Sequence, residues 1–451
     1  MATRTAEPGV HLPPGPKLSR LGALTYSFTR DPLVFLTNLA RTYGDLASYT
    51  MGGERLYFVN NPQWIKDILV THNRNFTKSR GLDRTKKLLG NGLLTSEGSF
   101  HLRQRRLLQP PFHRERIVSY GQTMVDTADR LRRNWTNGAT LDIAQEMMRL
   151  TLSIAGTTLF SVDVESQAAE VGRALTDVME SFWLTMTPFA EAIERLPIGP
   201  MHRAKLARRR LDAMIYTMIA ERRAAARDRG DLLSMLLLAQ DDDGSMMSDQ
   251  QVRDEAMTIF LAGHETTANA LTWTWYLLSQ SPDDEARLHA ELDQALGQRL
   301  PAVADLPSLP FVERVVTEAM RLYPPAWAIG RRAIEPYTID AYVAPARSIF
   351  LMSQWVMHRD PRYYDQPDRF RPDRWTPAFK TALPRFAYFP FGGGPRQCIG
   401  ESFAWMELVL VVATIAQQWK LRLVPGHPVV PQPLVTLRTK HGMRMTVIPR
   451  T

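Results

Sequence analysis

Cys398 is the only cysteine among 451 residues, and it stands in the stretch FGGGPRQCIG, residues 391–400. A lone thiol closes no disulfide within its own chain, so it serves as a metal ligand, a nucleophile or a small apolar side chain. An apolar run of helical period, ESFAWMELVLVVATIAQQW, follows it directly. The thiol is therefore expected at a helix N-terminus, where unpaired N–H groups and the helix dipole favour thiolate over thiol. Gly392, Gly393, Gly394 and Gly400 permit turns and a close backbone approach to something large and flat. Arg396, two residues before the thiol, is placed to pair with an anionic group of the same ligand. An inert buried cysteine would account for the thiol and leave the glycines and the arginine unexplained.

Two other stretches carry groups able to do chemistry. SDQQVRDEAMTIFLAGHETTANALTWTWYLLSQ reads as one long helix, opened by a Ser248/Gln251 capping box and stopped by Pro282. Its flanks favour helix, but Gly263, Thr266, Thr267 and Asn269 in its middle do not. Glu265 sets a carboxylate in the centre of a mostly apolar element. Two readings stand side by side: a solvated polar face or packing kink, and a distorted turn that leaves room for a small ligand beside a hydroxyl and a carboxylate able to relay protons. PFVERVVTEAMRLYPP, residues 310–325, is a second helix with an apolar stripe, ended by Pro324 and Pro325. Glu318 and Arg321 share one of its faces; on their own they read as a surface ion pair.

The elements that must position these groups are mostly helical. A hairpin around Gly52 and Gly53 is expected within residues 46–62, helices from 63 to about 322, turns and strands between 329 and 391, and strands again at the C-terminus. The fold class is mainly α with small β-sheets (α+β). No composition break divides the chain, which is read as a single domain over 1–451 with a proline-rich lead-in at 1–17, the long helix at 248–281, the second helix at 310–323 and the cysteine loop at 391–400. Composition is that of a globular protein, 44% hydrophobic and 22% charged, with net charge +9. Nine basic and three acidic side chains fall between residues 201 and 230. Leu211, Met214, Ile215, Met218 and Ile219 recur there at helical spacing, so this is an amphipathic helix with a basic face. No aromatic interleaving accompanies the charge, which argues against nucleic acid and for an acidic partner protein or a membrane surface. The opening residues show no signal peptide, and the longest apolar run is too short to span a bilayer. A soluble, cytoplasmic monomer without a transmembrane anchor is expected.

Taken together the motifs resemble those of the cytochrome P-450 superfamily, in its soluble bacterial form. FGGGPRQCIG is similar to the haem-ligand signature, with every fixed position met. AGHETT, residues 262–267, resembles the oxygen-activation motif, EAMR the Glu-x-x-Arg helix, and FRPDRW, residues 370–375, the segment that completes its charge cluster. The four occur in the family's order. The resemblance implies a long central helix over haem and the cysteine loop on the proximal side. It makes Cys398 the axial thiolate of haem b iron, whose electron push favours O–O cleavage. Arg396 would hold a haem propionate, as would His101 and Arg105 in FHLRQRR and, by a looser match, Arg331, next to Arg332, in IGRRAIEP. Phe391, Gly392 and Gly400 would frame the cofactor, and Ala262 and Gly263 would leave dioxygen its space. Thr266 would hydrogen-bond the bound dioxygen and Glu265 would feed protons to it. Glu318, Arg321 and Arg374 would form a buried structural cluster. Ala262, Thr266, Trp327, Ala328 and Ile329 would line the substrate pocket; SFWLTMTPF, residues 181–189, reads as its roof or as core.

The implied reaction is a monooxygenation: one atom of O2 enters a lipophilic molecule (fatty acid, terpene, steroid or polyketide-like), as hydroxylation or epoxidation. The chain shows no flavin or nicotinamide fingerprint. Reducing equivalents from NAD(P)H are therefore expected through a separate ferredoxin or flavodoxin with its reductase. The alternatives on the same fold are a peroxide-driven hydroxylase, a rearrangement enzyme and a non-catalytic haem sensor. The intact Glu265-Thr266 pair speaks against peroxide drive.

Overall fold

The computed structural model describes residues 12–16, 23–51, 53–79, 82, 85–86, 89–161, 171–174, 177, 199–225, 229–240 and 244–450. The segment 181–189 lies outside them. The strands are β1 (Leu46–Met51), β2 (Glu54–Val59), β3 (Phe76–Lys78), β4 (Thr140–Asp142), β5 (Ile329–Ala333), β6 (Tyr337–Ile339), β7 (Tyr342–Ala344), β8 (Ile349–Met352), β9 (Trp419–Leu423), β10 (Pro431–Pro433), β11 (Leu437–Thr439) and β12 (Arg444–Pro449). The chain groups into two compact units. One comprises residues 1–83, 327–368 and 378–397, and the other 84–326, 369–377 and 398–451.

The first unit holds a five-stranded sheet in the order β1-β2-β8-β5-β3. The hairpin expected from the sequence is β1 against β2, with Met51 opposite Glu54. β2 pairs in parallel with β8, and β5 runs antiparallel to both β8 and β3. One face of this sheet is aromatic: Tyr57 stacks on Phe350 with ring centroids 5.1 Å apart, and Phe76 meets Phe350 edge-on at 5.5 Å. Ile65, Ile68, Leu69, Phe386 and Phe389 complete that core. Such flat, well-buried rings fix the register, because a one-residue slip would turn them to solvent.

The second unit is mainly helical. The central helix Asp249–Ser279 packs against Ile143–Phe160, and Glu401–Ala416 packs against Arg114–Arg133. The capping box is present: Gln251 N–H donates to Ser248 Oγ, and Ser248 N–H donates to Gln251 Oε1 at 2.9 Å. The helix is buried on nearly every face, so packing offsets the poor helix formers in its middle. The sequence left a distorted turn open there; the helix in fact runs unbroken from 249 to 279. Thr266 and Thr267 fold their hydroxyls back onto the carbonyls of Ala262 (2.8 Å) and Gly263 (3.2 Å), which satisfies them without opening the ladder.

The basic segment is the helix Gly199–Ala225, and Leu211, Ile215 and Ile219 face inward as their spacing requires. Its positive charge is less available than the sequence suggests. Arg222 is buried and donates to Asp231 at 2.7 Å, while Arg203, Arg208 and Arg223 pair with Asp177, Asp212 and Asp249. Among the described residues no helix is long and apolar enough to cross a membrane.

Candidate haem-thiolate site

The cysteine loop is built by contact with protein. Gly392 and Gly394 adopt φ of +72° and +67°, a region that side chains rarely enter. A Cβ on Gly394 would lie 2.0 Å from the Leu69 carbonyl oxygen, and one on Gly393 would lie 2.5 Å from the Phe386 ring. Gly393 and Gly394 are thus required by Phe386 and Leu69 of the first unit, whereas Gly392 and Gly400 are not crowded by either. Arg396 ends a short 3-10 turn, Gly394–Arg396. Phe391 and Gly392 precede it in the same unit. Ile329 in β5 packs on that unit's core and comes within 3.5 Å of where a Gly392 Cβ would stand.

Cys398 belongs to the second unit and precedes the helix Glu401–Ala416 by a turn, with Gly400 as the N-cap. It is an exposed residue, yet desolvation pushes its thiol up to about 11. The Gly400 N–H and the Arg105 guanidinium pull it down, and the Glu401 carboxylate opposes them. The helix start favours the thiolate as expected, and burial opposes it. A metal cation at the sulfur would supply the missing charge, and coordination deprotonates a thiol outright. Arg105 lies near enough to feel that thiol, and its own pKa is lowered by burial.

Arg105 and His101 lie one turn apart on the helix Gly98–Leu108. His101 is 3% exposed, and its Nδ1 sits 3.1 Å from the Leu93 carbonyl and 3.3 Å from Ser96 Oγ. A carbonyl only accepts, so we assign the hydrogen to Nδ1. The loop supplying that carbonyl is held by the central helix. Leu93 N–H donates to Glu255 Oε2 at 2.8 Å, Gln104 Nε2 donates to Glu255 Oε1 at 2.9 Å, and Asn91 N–H donates to Asp254 at 2.8 Å. Sequence reasoning missed Glu255 and Gln104, because partners 151 residues apart leave no local signal.

The adjacent arginines separate cleanly. Arg332 donates to Glu54 at 2.7 Å, whereas Arg331 is 8% exposed with its Nη1 on the Gly330 carbonyl at 3.0 Å. Alternation along β5 sends them to opposite faces. Trp327 is buried in the first unit, its carbonyl accepting from Ser353 Oγ and the Trp355 N–H. Ala328 and Ile329 are half-buried.

From Val252 to Trp275 only Ala262, Gly263 and Thr266 keep exposed surface. They share one side of the helix, and among the described residues a Cβ added to Gly263 would meet nothing within 4 Å. An otherwise buried helix thus keeps accessible surface where the motif AGHETT falls, and the small side chains there fit a bound group beside the helix. Glu265 points elsewhere. It is 1% exposed, and its Oε1 accepts from Arg438 Nε at 2.8 Å and from the Thr436 hydroxyl. Burial alone would raise its pKa; the Arg438 charge and these hydrogen bonds override burial and hold it below the usual carboxylate range. An ionised Glu265 has no proton to give, so a relay through it must begin by protonating a group already committed to Arg438. His264 beside it is buried and kept neutral by desolvation, with Nδ1 on the Phe260 carbonyl at 3.0 Å.

The charge cluster is assembled within the second unit. The Glu318 carboxylate, with no exposure, accepts from Arg321 Nε and Nη2 at 2.8 Å and from Arg374 Nε at 3.0 Å. It also accepts from the Arg371 N–H and the Trp375 indole, each at 2.9 Å. This is a buried five-donor node, well beyond the surface pair that the helix alone suggested. Trp375 is the member the sequence did not point to.

The chain belongs to the cytochrome P450 family, whose profile, described as Cytochrome P450, matches residues 13–444. It is 40% identical over 93% of its length, and 92% of the relative's, to Cyclooctatin synthase of Streptomyces melanosporofaciens. It is 37% identical over 89% of its length, and 88% of the relative's, to Cyclooctat-9-en-7-ol 5-monooxygenase of the same organism. In fold it is similar to retinoic acid bound cyanobacterial CYP120A1, with TM-score 0.89, 25% identity and coverage of 98% of this chain and 100% of that one. The protein is a P450 monooxygenase, an oxidoreductase of a family that uses haem and dioxygen.

Proposed function

We propose that this monooxygenase hydroxylates an unsaturated, alicyclic, terpene-type hydrocarbon or its mono-alcohol. The observation that carries the reading is the open face at Ala262, Gly263 and Thr266 in an otherwise buried helix, in a chain whose 37% identical relative is named for oxidising an unsaturated alcohol. Cys398 would hold haem iron, and Arg396, His101, Arg105 and Arg331 would take its carboxylates. Haem, when bound, supplies the activation of dioxygen and the oxidation of a C–H bond. Ala262 and Gly263 leave room beside the helix. Thr266 turns its hydroxyl from the Ala262 carbonyl to hydrogen-bond the reacting oxygen and pass it a proton. Glu265 stands behind it as a carboxylate. Overall, substrate, O2, two electrons and two protons give hydroxylated substrate and water. We further propose that the electrons come from NAD(P)H through a ferredoxin or flavodoxin and its reductase, and that Glu318, Arg321 and Arg374 serve structure only.

The test is spectroscopic and then catalytic. The reduced carbon-monoxide complex should show the red-shifted Soret band of thiolate ligation, and Cys398→Ser should abolish that shift; an unshifted band in the parent refutes the cofactor assignment. Titration of the ferric protein with terpene hydrocarbons and alcohols, fatty acids and steroids should give a low-to-high spin change with the terpene class alone. A shift only with fatty acids or steroids refutes the substrate class.

A further inference from the structure

The hairpin β10–β11 is tied to the central helix by side chains four residues apart. Glu265 accepts from Thr436 and Arg438, Asn269 Nδ2 donates to Thr436 Oγ1 at 3.0 Å, and Trp273 Nε1 donates to the Leu437 carbonyl at 3.0 Å. The Leu437 N–H donates to the Pro325 carbonyl at 2.9 Å, so the same strand holds the chain where it leaves the helix Pro310–Leu322. At ~100° per residue, Asn269 and Trp273 fall within roughly 20° of Ala262, and Thr266 within roughly 40°. The hairpin therefore covers the same side of the helix that stands open at Ala262 and Thr266, one to three turns further on. Leu434 and Val435, in the turn just before Thr436, are half-buried. The tie is buried and charged: Glu265 is 1% and Arg438 13% exposed at the side chain. Both donors meet Oε1, and Oε2 is buried with no donor among the described residues. Arg438 is thus the cation that compensates Glu265.

We propose that Arg438 is a positioning residue for the substrate: its ion pair with Glu265 latches the β10–β11 turn beside Thr266 and so shapes the distal pocket. This rests on the assignment of the open helix face as that pocket, and it is independent of the terpene class. It gives Glu265 a part that needs no proton transfer. Charge-assisted bonds of this kind are short, directional and stronger than neutral ones, so a hairpin that loses this one rests on the neutral Thr436, Leu437 and Trp273 contacts alone.

The experiment uses the haem-loaded protein with 4-phenylimidazole and imidazole as probes. Both bind ferric haem; only the first needs a shaped pocket above it. Arg438→Met and Glu265→Gln should each weaken 4-phenylimidazole relative to imidazole by roughly tenfold, the worth of one charge-assisted bond. Both should speed amide hydrogen exchange at residues 434–439 by a similar factor. Arg438→Lys, which keeps the charge, should restore most of both. Wild-type ratio and exchange in Arg438→Met overturn the proposal, as does an equal loss for the two probes. Should Arg438→Met fail to load haem, Thr436→Val decides: faster exchange at 434–439 supports the latch, and wild-type exchange overturns it. A normal carbon-monoxide band in these variants separates failure of the latch from failure of the cofactor assignment.

Discussion

Replacing Glu318 by Gln tests whether the Glu-Arg-Arg node carries stability or is incidental. Gln keeps the volume and removes the charge, leaving the buried Arg321 and Arg374 guanidiniums without a counter-ion. Breaking a buried ion pair by removing one partner costs ~3–5 kcal/mol. Unfolding a chain of 451 residues carries roughly 0.9 kcal/mol/K of entropy at ~2.1 cal/mol/K per residue. The melting temperature should therefore fall by about 3–5 °C if the chain unfolds as one. Glu318→Ala adds a cavity and leaves the Trp375 indole and the Arg371 N–H without an acceptor, at ~1–3 kcal/mol each, so it should fall further. The assay is calorimetry of the haem-loaded protein. Arg287→Gln is the control. Its partner Asp373 is half exposed, as Arg287 is, and exposed pairs contribute ~0–1 kcal/mol. If Glu318→Gln melts within about 1 °C of the parent, or no lower than Arg287→Gln, burial is not what gives this node its weight and the reasoning fails.

The remaining expectations follow from the same structure. Gly394→Ala must place a Cβ at φ +67° within 2.0 Å of a carbonyl oxygen, so it should lose at least ~2 kcal/mol by denaturant titration and lower haem content; wild-type stability would refute the close approach. Thr266→Ala should retain haem content and imidazole affinity while kcat falls roughly 10²–10⁴-fold and consumption of reductant uncouples from hydroxylation; an unchanged kcat would remove Thr266 from proton transfer. Glu407, fully buried with both oxygens lacking a partner among the described residues, has its pKa raised well above the usual range by desolvation. The folded state then binds the proton more tightly than the unfolded one. This contribution is fully present below the unfolded pKa and is lost as pH rises toward the folded pKa, at ~1.4 kcal/mol per pH unit. Glu407→Gln should remove that slope, read by denaturant midpoints from pH 5 to 8; an identical pH profile in the variant would refute it.

Much of this protein was legible in its residue order. The capping box at Ser248, the hairpin around Gly53, the stop at Pro324 and the amphipathic stripe of Leu211, Ile215 and Ile219 are local patterns, set by interactions within a few residues, and they came out as read. The cysteine motif pointed to the cofactor class through its resemblance to the haem-ligand signature, and the family match over residues 13–444 agrees. What escaped was either distant in the chain or dependent on burial. Arg438 and Glu265 are 173 residues apart, Trp375 and Glu318 are 57 apart, and neither pairing has a periodicity to betray it. That Gly393 and Gly394 also lie against Phe386 and Leu69 showed only in the folded chain. At Cys398 the helix start favours a thiolate and burial opposes it, a balance that only the folded chain shows. Glu265 was read as a carboxylate in an apolar helix, and the arginine that holds it ionised comes from the far end of the chain. Sequence determines which elements form and which groups they carry, because backbone propensity and apolar period act over a few residues. Tertiary structure alone decides the charge state of those groups, because solvation and Coulomb interaction depend on what is near in space.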